Sequence, residues 1–269
     1  MAQRLSERIV LVVGAGTQAS DEPDAPIGNG RAISVLAARA GAHVVCVDRD
    51  AAAAEQTAAL VRNEGADATV VVGDVTSADD CAAMVGRAAE TGEGRLGGVV
   101  VNVGIGRGAG LAGTSPEDWD ATMATNLRGH FLVARAALEA LGENGTVENR
   151  TGEGGGSIVF IGSVAGLQPG SRLPAYDASK AGLIGLARHV ALEGARRGVR
   201  ANVVAPGLID TPLGRLATRG RPSRARTPVP LGRQGTAWEV GAVVVFLLSD
   251  EASYVTGQVL AVDGGLSLI

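Results

Sequence analysis

Short apolar runs rich in valine and isoleucine recur along the chain, with longer alanine-rich stretches of amphipathic spacing between them. Continuous apolar runs that alternate with helices are typical of parallel strands buried on both faces of a sheet. The pattern therefore predicts an α/β fold, doubly wound, with a seven-stranded parallel sheet flanked by helices. The predicted strands are Ile9–Val13, His43–Val47, Thr69–Val72, Gly98–Val101, Ser157–Ile161, Arg200–Val204 and Val259–Val262.

Two segments depart from this alternation. Residues 18–26 are polar and acidic and interrupt a glycine-rich turn, which is the pattern of an inserted loop. Residues 213–230 carry five arginines and three prolines. Neither segment has the length or composition of a linker, and no internal repeat is visible. We therefore expect a single domain that spans residues 1–269.

The composition excludes several classes of function. A net charge of −4 gives no general reason to expect nucleic acid or an anionic membrane as a partner. No apolar run approaches the roughly 20 residues of a membrane span, and no secretory signal is visible. The two cysteines, Cys46 and Cys81, and the three histidines lack metal-ligand spacing, so we expect no metal. The sequence predicts a cytoplasmic protein.

Tyr176 and Lys180 carry the clearest chemical signal. If a helix begins near Pro174, the two side chains lie one turn apart on the same face. A cation at that position lowers the pKa of a phenol and makes tyrosine a general acid or base. Of the 24 lysine and arginine residues only Lys180 is a lysine. Its compact ammonium group differs in shape and hydrogen bonding from the guanidinium group that every other cationic side chain of this set carries.

A glycine-rich turn follows the first predicted strand. Gly14 and Gly16 precede the insertion, whereas Gly28, Asn29 and Gly30 open the next helix. Glycines at such a turn let the backbone approach a pyrophosphate, which then lies at the positive end of the helix. The spacing is irregular, so the turn by itself is a weak signal.

The end of the second strand bears on the choice of dinucleotide. The carboxylate of Asp48 is placed to accept hydrogen bonds from ribose hydroxyls and to repel a 2′-phosphate. The pattern therefore favours NAD(H) over NADP(H). Arg49 leaves the alternative open, since an arginine can instead receive that phosphate.

Polar and small residues also follow the next strands. Asp74 and Val75 could bracket an adenine ring, and Asn102 and Gly104 follow the fourth strand, at the edge where open sheets bind ligands. Asn126 falls within a predicted long helix.

These motifs, in this order, resemble those of the classical short-chain dehydrogenase/reductase family from about Ser6 to Ile269. The most specific match is Ser163 followed by Tyr176 and Lys180. The resemblance implies a Rossmann-type domain, a nicotinamide held by Pro206, Gly207, Ile209 and Thr211, and a substrate lid at about residues 213–230. The chain departs from the family by ten extra residues between Gly14 and Gly28, and by Val101-Asn102-Val103-Gly104 in place of Asn-Asn-Ala-Gly.

The resemblance also implies roles for the polar residues. Tyr176 exchanges a proton with the substrate oxygen, Ser163 positions that oxygen, and Lys180 lowers the pKa of Tyr176 and holds the nicotinamide ribose. Asn126 holds a water molecule in a proton relay. The implied partners are a small alcohol or carbonyl substrate and further copies of the chain, in a homotetramer or homodimer.

Three functions remain open at this point. The first is hydride transfer between NAD(H) and a secondary alcohol or ketone. The second is an NADPH-dependent 3-oxoacyl reductase, for which the arginines of the lid would recognise an anionic substrate; the alternative is that those arginines form a solvated loop. The third is a nucleotide-binding scaffold that has lost catalysis, against which stand the intact Asn126, Ser163, Tyr176 and Lys180.

Overall fold

The structure is a computed structural model that describes residues 4–18, 24–91, 95–142, 155–218 and 228–269. Seven parallel strands form one sheet, as predicted, and a separate pair of two-residue strands lies outside it. The strands are β1 Arg8–Val13, β2 His43–Asp48, β3 Ala68–Val72, β4 Arg95–Val101, β5 Ser157–Ile161, β6 Arg200–Pro206, β7 Ile209–Asp210, β8 Gly235–Thr236 and β9 Val259–Val262.

The order of the strands places a crevice at the centre of the sheet. The order is β3-β2-β1-β4-β5-β6-β9, so the chain builds outward from β1 to one edge and then returns to build toward the other. Val13 at the end of β1 pairs with Val47 on one side and with Val101 on the other. Ligands of open α/β sheets bind outside the carboxyl ends of the strands at such a reversal.

Eight α-helices cover the two faces of the sheet in the described residues. Several begin at a side-chain cap, for example Asp50 before α2 and Ser77 before α3, which satisfies backbone N–H groups of the first turn. The helices are α1 Asn29–Arg39, α2 Ala51–Asn63, α3 Ala78–Ala89, α4 Pro116–Met123, α5 Gly129–Gly142, α6 Pro174–Gly194, α7 Pro212–Thr218 and α8 Ala237–Leu248.

Alternate side chains of the central strand enter two different cores. Ile9 and Leu11 of β1 pack with residues of α3, α5 and α6. Val10 and Val12 pack on the opposite face with residues of α1, α2 and α8. Because both faces are covered, β1 has no polar residue between Ile9 and Val13, and its apolar run is continuous.

The strand boundaries differ modestly from the predicted ones. β4 begins at Arg95 rather than Gly98, because Arg8 and Ile9 of β1 continue the ladder to Arg95 and Leu96. The pair β7 and β8 was not predicted, since each strand has two residues and neither has an apolar pattern. Residues 213–218 of the predicted lid lie in α7, and residues 219–227 lie outside the described part of the chain.

The sequence predicts neither a membrane span nor a metal site. In the described residues no helix is long and apolar enough to cross a membrane, and no group of three or more metal-ligating side chains occurs. Cys46 and Cys81 are buried free thiols. Burial raises the pKa of Cys46 to about 12 and that of Cys81 to about 11, which makes both poor nucleophiles.

Candidate active site and dinucleotide site

Helix α6 brings Tyr176 and Lys180 together, as the spacing predicts. The helix begins at Pro174, whose missing N–H costs nothing in the first turn. The Nζ atom of Lys180 lies 5.7 Å from the centroid of the Tyr176 ring. The same amine donates a hydrogen bond of 2.8 Å to the carbonyl oxygen of Ile161, at the end of β5.

Lys180 is almost completely buried, with 4% of its surface exposed. Burial disfavours the charged amine and lowers the pKa of Lys180 from its usual 10.5 to about 8. The amine therefore remains mainly protonated at neutral pH. An ammonium so close to a phenol ring stabilises the phenolate that a general base requires.

Ser163 stands two residues beyond β5, at the start of a short 3-10 turn, Val164–Gly166. Its hydroxyl oxygen accepts a hydrogen bond of 3.1 Å from the Ala165 backbone N–H. A Cβ at Gly166 would lie 2.6 Å from the carbonyl carbon of Lys180. Glycine therefore lets this turn pack on the backbone of α6, which brings Ser163 to the same site.

Asn126 lies in a π-helical turn, Ala124–Arg128, between α4 and α5, and it is fully buried. Its side chain accepts from the Ile105 backbone N–H at 2.8 Å and donates to the Ile105 carbonyl oxygen at 2.8 Å. A Cβ at Gly104 would lie 3.4 Å from the Lys180 Nζ atom and 3.7 Å from the Asn126 Oδ1 atom. Gly104, Asn126 and Lys180 therefore lie close together.

Ser179 belongs to this network, and the sequence reasoning missed it. Its hydroxyl donates to the carbonyl oxygen of Tyr176 at 2.8 Å and accepts from the Asn126 side-chain amide at 3.1 Å. The available signal was the helical spacing, since a residue three positions after Tyr176 lies on nearly the same face. Ser179 joins the π-helical turn to the helix that carries the tyrosine.

The glycine-rich turn closes despite the insertion. Gly14 has a φ of +80°, which favours glycine, and a Cβ at Gly30 would overlap the Gly14 carbonyl oxygen. The same oxygen accepts a hydrogen bond of 2.8 Å from the side-chain amide of Asn102. The predicted residues Gly14, Gly30 and Asn102 therefore meet at one point.

The ends of the insertion are held together by a hydrogen bond. The backbone N–H of Gly28 donates to the Thr17 hydroxyl oxygen at 3.0 Å. Residues 18 and 24–26 of the predicted loop are described, and residues 19–23 lie outside the described part. The extra residues thus leave and rejoin the turn at Thr17 and Gly28 without separating its glycines.

Asp48 ends β2 and also supports the turn. One carboxylate oxygen accepts from the Gly16 backbone N–H at 3.0 Å, and the other accepts from the Asp50 N–H at 3.1 Å. Both contacts hold the carboxylate in a fixed orientation beside the glycines. Arg49 is exposed next to it.

Asp74 and Val75 follow β3, and their contact with an adenine ring stays a prediction. The Asp74 carboxylate accepts from the Thr76 backbone N–H at 2.8 Å, and Val75 is only 5% exposed. The Val75 side chain is buried because α5 starts against it; a Cβ at Gly129 would lie 2.9 Å from a Val75 methyl. Asp74 is exposed, whereas the Val75 carbonyl oxygen accepts a hydrogen bond of 3.4 Å from the Cys81 thiol.

The segment after β6 is closely packed. A Cβ at Gly207 would lie 2.6 Å from the Cβ of Asp263, so the chain passes the C-terminal segment at short range. Ile209 is buried, and the Thr211 hydroxyl oxygen accepts from the Gly214 backbone N–H at 3.0 Å. Pro206 pairs with Val262 at the end of β6. The segment from the end of β6 through β7 to the start of α7 therefore carries Pro206, Gly207, Ile209 and Thr211.

The arrangement fits a dinucleotide. Gly28 precedes α1 and offers no side-chain cap, so the N–H groups of the first turn can bind a phosphate. Glycines at positions 14, 16 and 30 leave the space in front of that helix end free of side chains. The Asp48 carboxylate, at the end of β2, lies beside the same turn. All of these groups lie at the reversal of the strand order.

Curated relatives match nearly the whole chain. The 2-(S)-hydroxypropyl-CoM dehydrogenase 3 of Xanthobacter autotrophicus is 37% identical over 275 residues, 100% of both chains. The 3-oxoacyl-(acyl-carrier-protein) reductase FabG of Thermotoga maritima is 37% identical over 270 residues, 98% of this chain and 99% of the relative. Another Xanthobacter autotrophicus protein, named inactive 2-(S)-hydroxypropyl-CoM dehydrogenase 2, is 42% identical over 87% of this chain and 98% of its own.

Solved structures of other proteins share the fold. A crystal structure with bound NADP, of an Agrobacterium tumefaciens protein described as a candidate 2-deoxy-D-gluconate 3-dehydrogenase, covers 99% of both chains with a TM-score of 0.81 and 31% identity. A family model described as enoyl-(acyl carrier protein) reductase matches residues 26–267. The chain therefore belongs to the classical short-chain dehydrogenase/reductase family and is an NAD(P)-dependent oxidoreductase of the kind that acts on CH–OH groups.

Proposed function

We propose that this oxidoreductase transfers a hydride between NAD(H) and a secondary alcohol or ketone, with Tyr176 as the general acid or base. The observation that carries the proposal is the buried Lys180 amine, 5.7 Å from the Tyr176 ring and hydrogen-bonded to the end of β5. A tyrosine beside a buried ammonium suits proton exchange near neutral pH. The bound dinucleotide supplies or accepts the hydride.

Each polar residue then has a role in the proton transfer. Tyr176 gives a proton to the substrate oxygen during ketone reduction and takes it back during alcohol oxidation. Ser163 donates a hydrogen bond to the same oxygen and fixes its position. Asn126 is held by Ile105 and Ser179, so we assign it to the water-bearing relay that ends at Lys180.

NAD(H) is the preferred cofactor in this proposal. Its support is the Asp48 carboxylate, which two backbone N–H groups hold beside the glycine-rich turn. A fixed negative charge there repels a 2′-phosphate and accepts hydrogen bonds from ribose hydroxyls. Gly14, Gly16, Gly28 and Gly30 form the approach for the pyrophosphate, and Asn29 lies at the start of α1.

The second candidate is an NADPH-dependent 3-oxoacyl reductase. The Thermotoga maritima relative carries that kind of name, and Arg49 is exposed next to Asp48. Arg215, the described arginine of the lid, is held by the Asp210 carboxylate at 2.7 Å. The remaining lid arginines, at positions 219, 221, 224 and 226, lie outside the described residues, so the anionic-substrate hypothesis stays a prediction.

The scaffold alternative has one observation in its favour. A relative named inactive is 42% identical to this chain. Against it stands the convergence of Gly104, Asn126, Lys180 and Tyr176, which a purely nucleotide-binding protein does not require. Turnover decides between the two.

We also propose a homotetramer or homodimer in the cytoplasm. Supporting the assembly are apolar side chains exposed on neighbouring helices, among them Trp119 on α4, Phe131 on α5 and Leu192 on α6. Supporting the reducing compartment are two cysteines that are both free thiols. Sedimentation of the purified protein measures the assembly directly.

Fluorescence titrations with NADH and, separately, NADPH test the proposal, followed by assays with secondary alcohols plus NAD and with acetoacetyl thioesters plus the preferred reduced cofactor. We expect tighter binding of NADH and oxidation of secondary alcohols. Preference for NADPH with reduction of thioesters would establish the second candidate. Binding without turnover on any substrate would establish the scaffold.

A further inference from the structure

His130 is a buried histidine that the roles assigned so far do not use. It lies in the first turn of α5, four residues after Asn126, and is 0% exposed. The four-residue separation places it about one helical turn beyond Asn126, although the π-helical turn Ala124–Arg128 widens the connection. A polar side chain is thus directed into the molecule on the side of the proton-transfer network.

The surroundings of the ring come from four elements, which are β4, β5, α6 and the π-helical turn. The Phe160 ring of β5 lies 6.0 Å away, between centroids, and the next residue, Ile161, accepts the hydrogen bond from Lys180. The carbonyl oxygens of Thr125 and of Val101, at the end of β4, lie beside the ring and favour its protonated form. Lys180 on α6 is the charged group that acts on the ring, and it favours the neutral form.

Neutrality of the imidazole follows from this setting. Burial is the largest influence and the Lys180 charge adds to it, so the pKa of His130 lies well below its usual value. The Thr125 and Val101 carbonyl oxygens lie close to the ring, but neither ring nitrogen meets the distance and angle of a hydrogen bond to any described residue. A neutral imidazole has one nitrogen that accepts a hydrogen bond, and a buried acceptor needs a partner.

We propose that His130 is a positioning residue that acts through Lys180, holding one buried water that accepts a hydrogen bond from the ammonium and donates to the imidazole. An ammonium has three N–H donors, and Ile161 takes one of them. A second donor directed to the water leaves the third for the side of the amine that faces Tyr176. Through this water, His130 fixes the position of the amine from the side opposite Tyr176 and stabilises its charged form.

The inference rests on the proposed function, since it assigns His130 a task in the same acid–base pair. A purely structural histidine would contribute to stability only. A positioning residue also changes the pH at which Lys180 loses its proton. The two roles are therefore separable by a pH profile.

The test compares kcat against pH for alcohol oxidation in the wild type, His130→Phe and His130→Gln. We expect His130→Phe to lower kcat by about tenfold, less than the roughly 10²–10⁴ of a direct acid–base group, with unchanged NADH affinity. The alkaline limb of the profile moves to lower pH, because the ammonium loses its support. His130→Gln keeps a hydrogen-bond acceptor and should restore most of kcat and most of the alkaline limb.

The matched control is His189→Gln, at an exposed histidine on α6. It should leave kcat and the alkaline limb unchanged.

If His130→Phe does not fold, a second measurement tests the inference without it. The chain has three histidines, so their ring nitrogens are resolvable by nuclear magnetic resonance. In Lys180→Met the His130 pKa should rise and its ring shifts should change, whereas His43 and His189 should not respond. This arm needs no turnover, so it remains informative if the proposed activity fails. An unmoved alkaline limb in His130→Phe, or unchanged His130 shifts in Lys180→Met, overturns the inference.

Discussion

The amine of Lys180 donates a 2.8 Å hydrogen bond to the carbonyl oxygen of Ile161. This bond ties helix α6 to the end of β5, where Ser163 follows two residues later. The strand end therefore sets the height of the amine above the sheet, and the helix sets the position of Tyr176 relative to it. The proposed acid–base pair of Tyr176 and Lys180 therefore lies on a helix that is bonded to the central sheet, not on a loop.

Replacing Tyr176 by phenylalanine removes the proposed acid–base hydroxyl and keeps the aromatic ring. We expect kcat to fall by a factor of about 10²–10⁴, the usual contribution of a general acid or base. The Kd for NADH should stay within about twofold of wild type, because a proton-transfer group acts in the transition state and not in ground-state binding. Steady-state kinetics and fluorescence titration measure the two quantities. Tyr254→Phe is the matched control, because Tyr254 is the other tyrosine and is fully exposed. Full activity in Tyr176→Phe would refute the assignment.

Lys180 should make stability depend on pH. Its folded-state pKa of about 8 lies below the usual 10.5, so between these pH values the unfolded chain binds more protons than the folded one. The free energy of unfolding should therefore rise with pH across this window, by up to roughly 1.4 kcal/mol per pH unit from this group. Urea unfolding at several pH values, with Lys180→Met for comparison, measures the rise. A variant that shows the same slope as the wild type contradicts the prediction.

Asp48→Ser should change the cofactor preference. The substitution removes the charge that opposes a 2′-phosphate and weakens the support of the Gly16 N–H. We expect the Kd for NADH to rise and the Kd for NADPH to fall, each by about tenfold or more, which corresponds to an interaction of about 1.4 kcal/mol.

The control is Asp67→Ser, at an exposed aspartate before β3. If Arg49 then receives the phosphate, adding Arg49→Ala should remove the gain for NADPH. An unaltered ratio of the two Kd values would exclude Asp48 as the selector.

Gly30→Ala should disable the dinucleotide site. The added Cβ would overlap the Gly14 carbonyl oxygen and lie 2.8 Å from the Asn102 Nδ2 atom, so the glycine-rich turn must shift. We expect a loss of NADH binding of at least about tenfold and a loss of stability of roughly 1–3 kcal/mol, as for overpacked sites. Gly86→Ala in α3, where the Cβ meets nothing within 4 Å, should instead be neutral or stabilising by up to about 1 kcal/mol. Equal behaviour of the two variants would contradict the proposed close packing.

Much of the fold was predictable because its signals are local. The apolar run of β1 follows from burial on both faces, and the start of α6 follows from Pro174. The first three residues of β4 and the pair β7 and β8 were not predictable, since they depend on hydrogen bonds to strands far away in the sequence. The site residues carry spacing signals, but their assigned roles stay proposals until the variants are measured.

By itself the sequence determined the order of strands and helices, the family, and the pairing of Tyr176 with Lys180, because one helical turn separates them. Tertiary structure alone decided what surrounds that pair. Ile161 comes to Lys180 from β5, and Asn126 comes from a π-helical turn. These groups are distant in the chain, and only the packing of helices on the carboxyl ends of the strands brings them to one point.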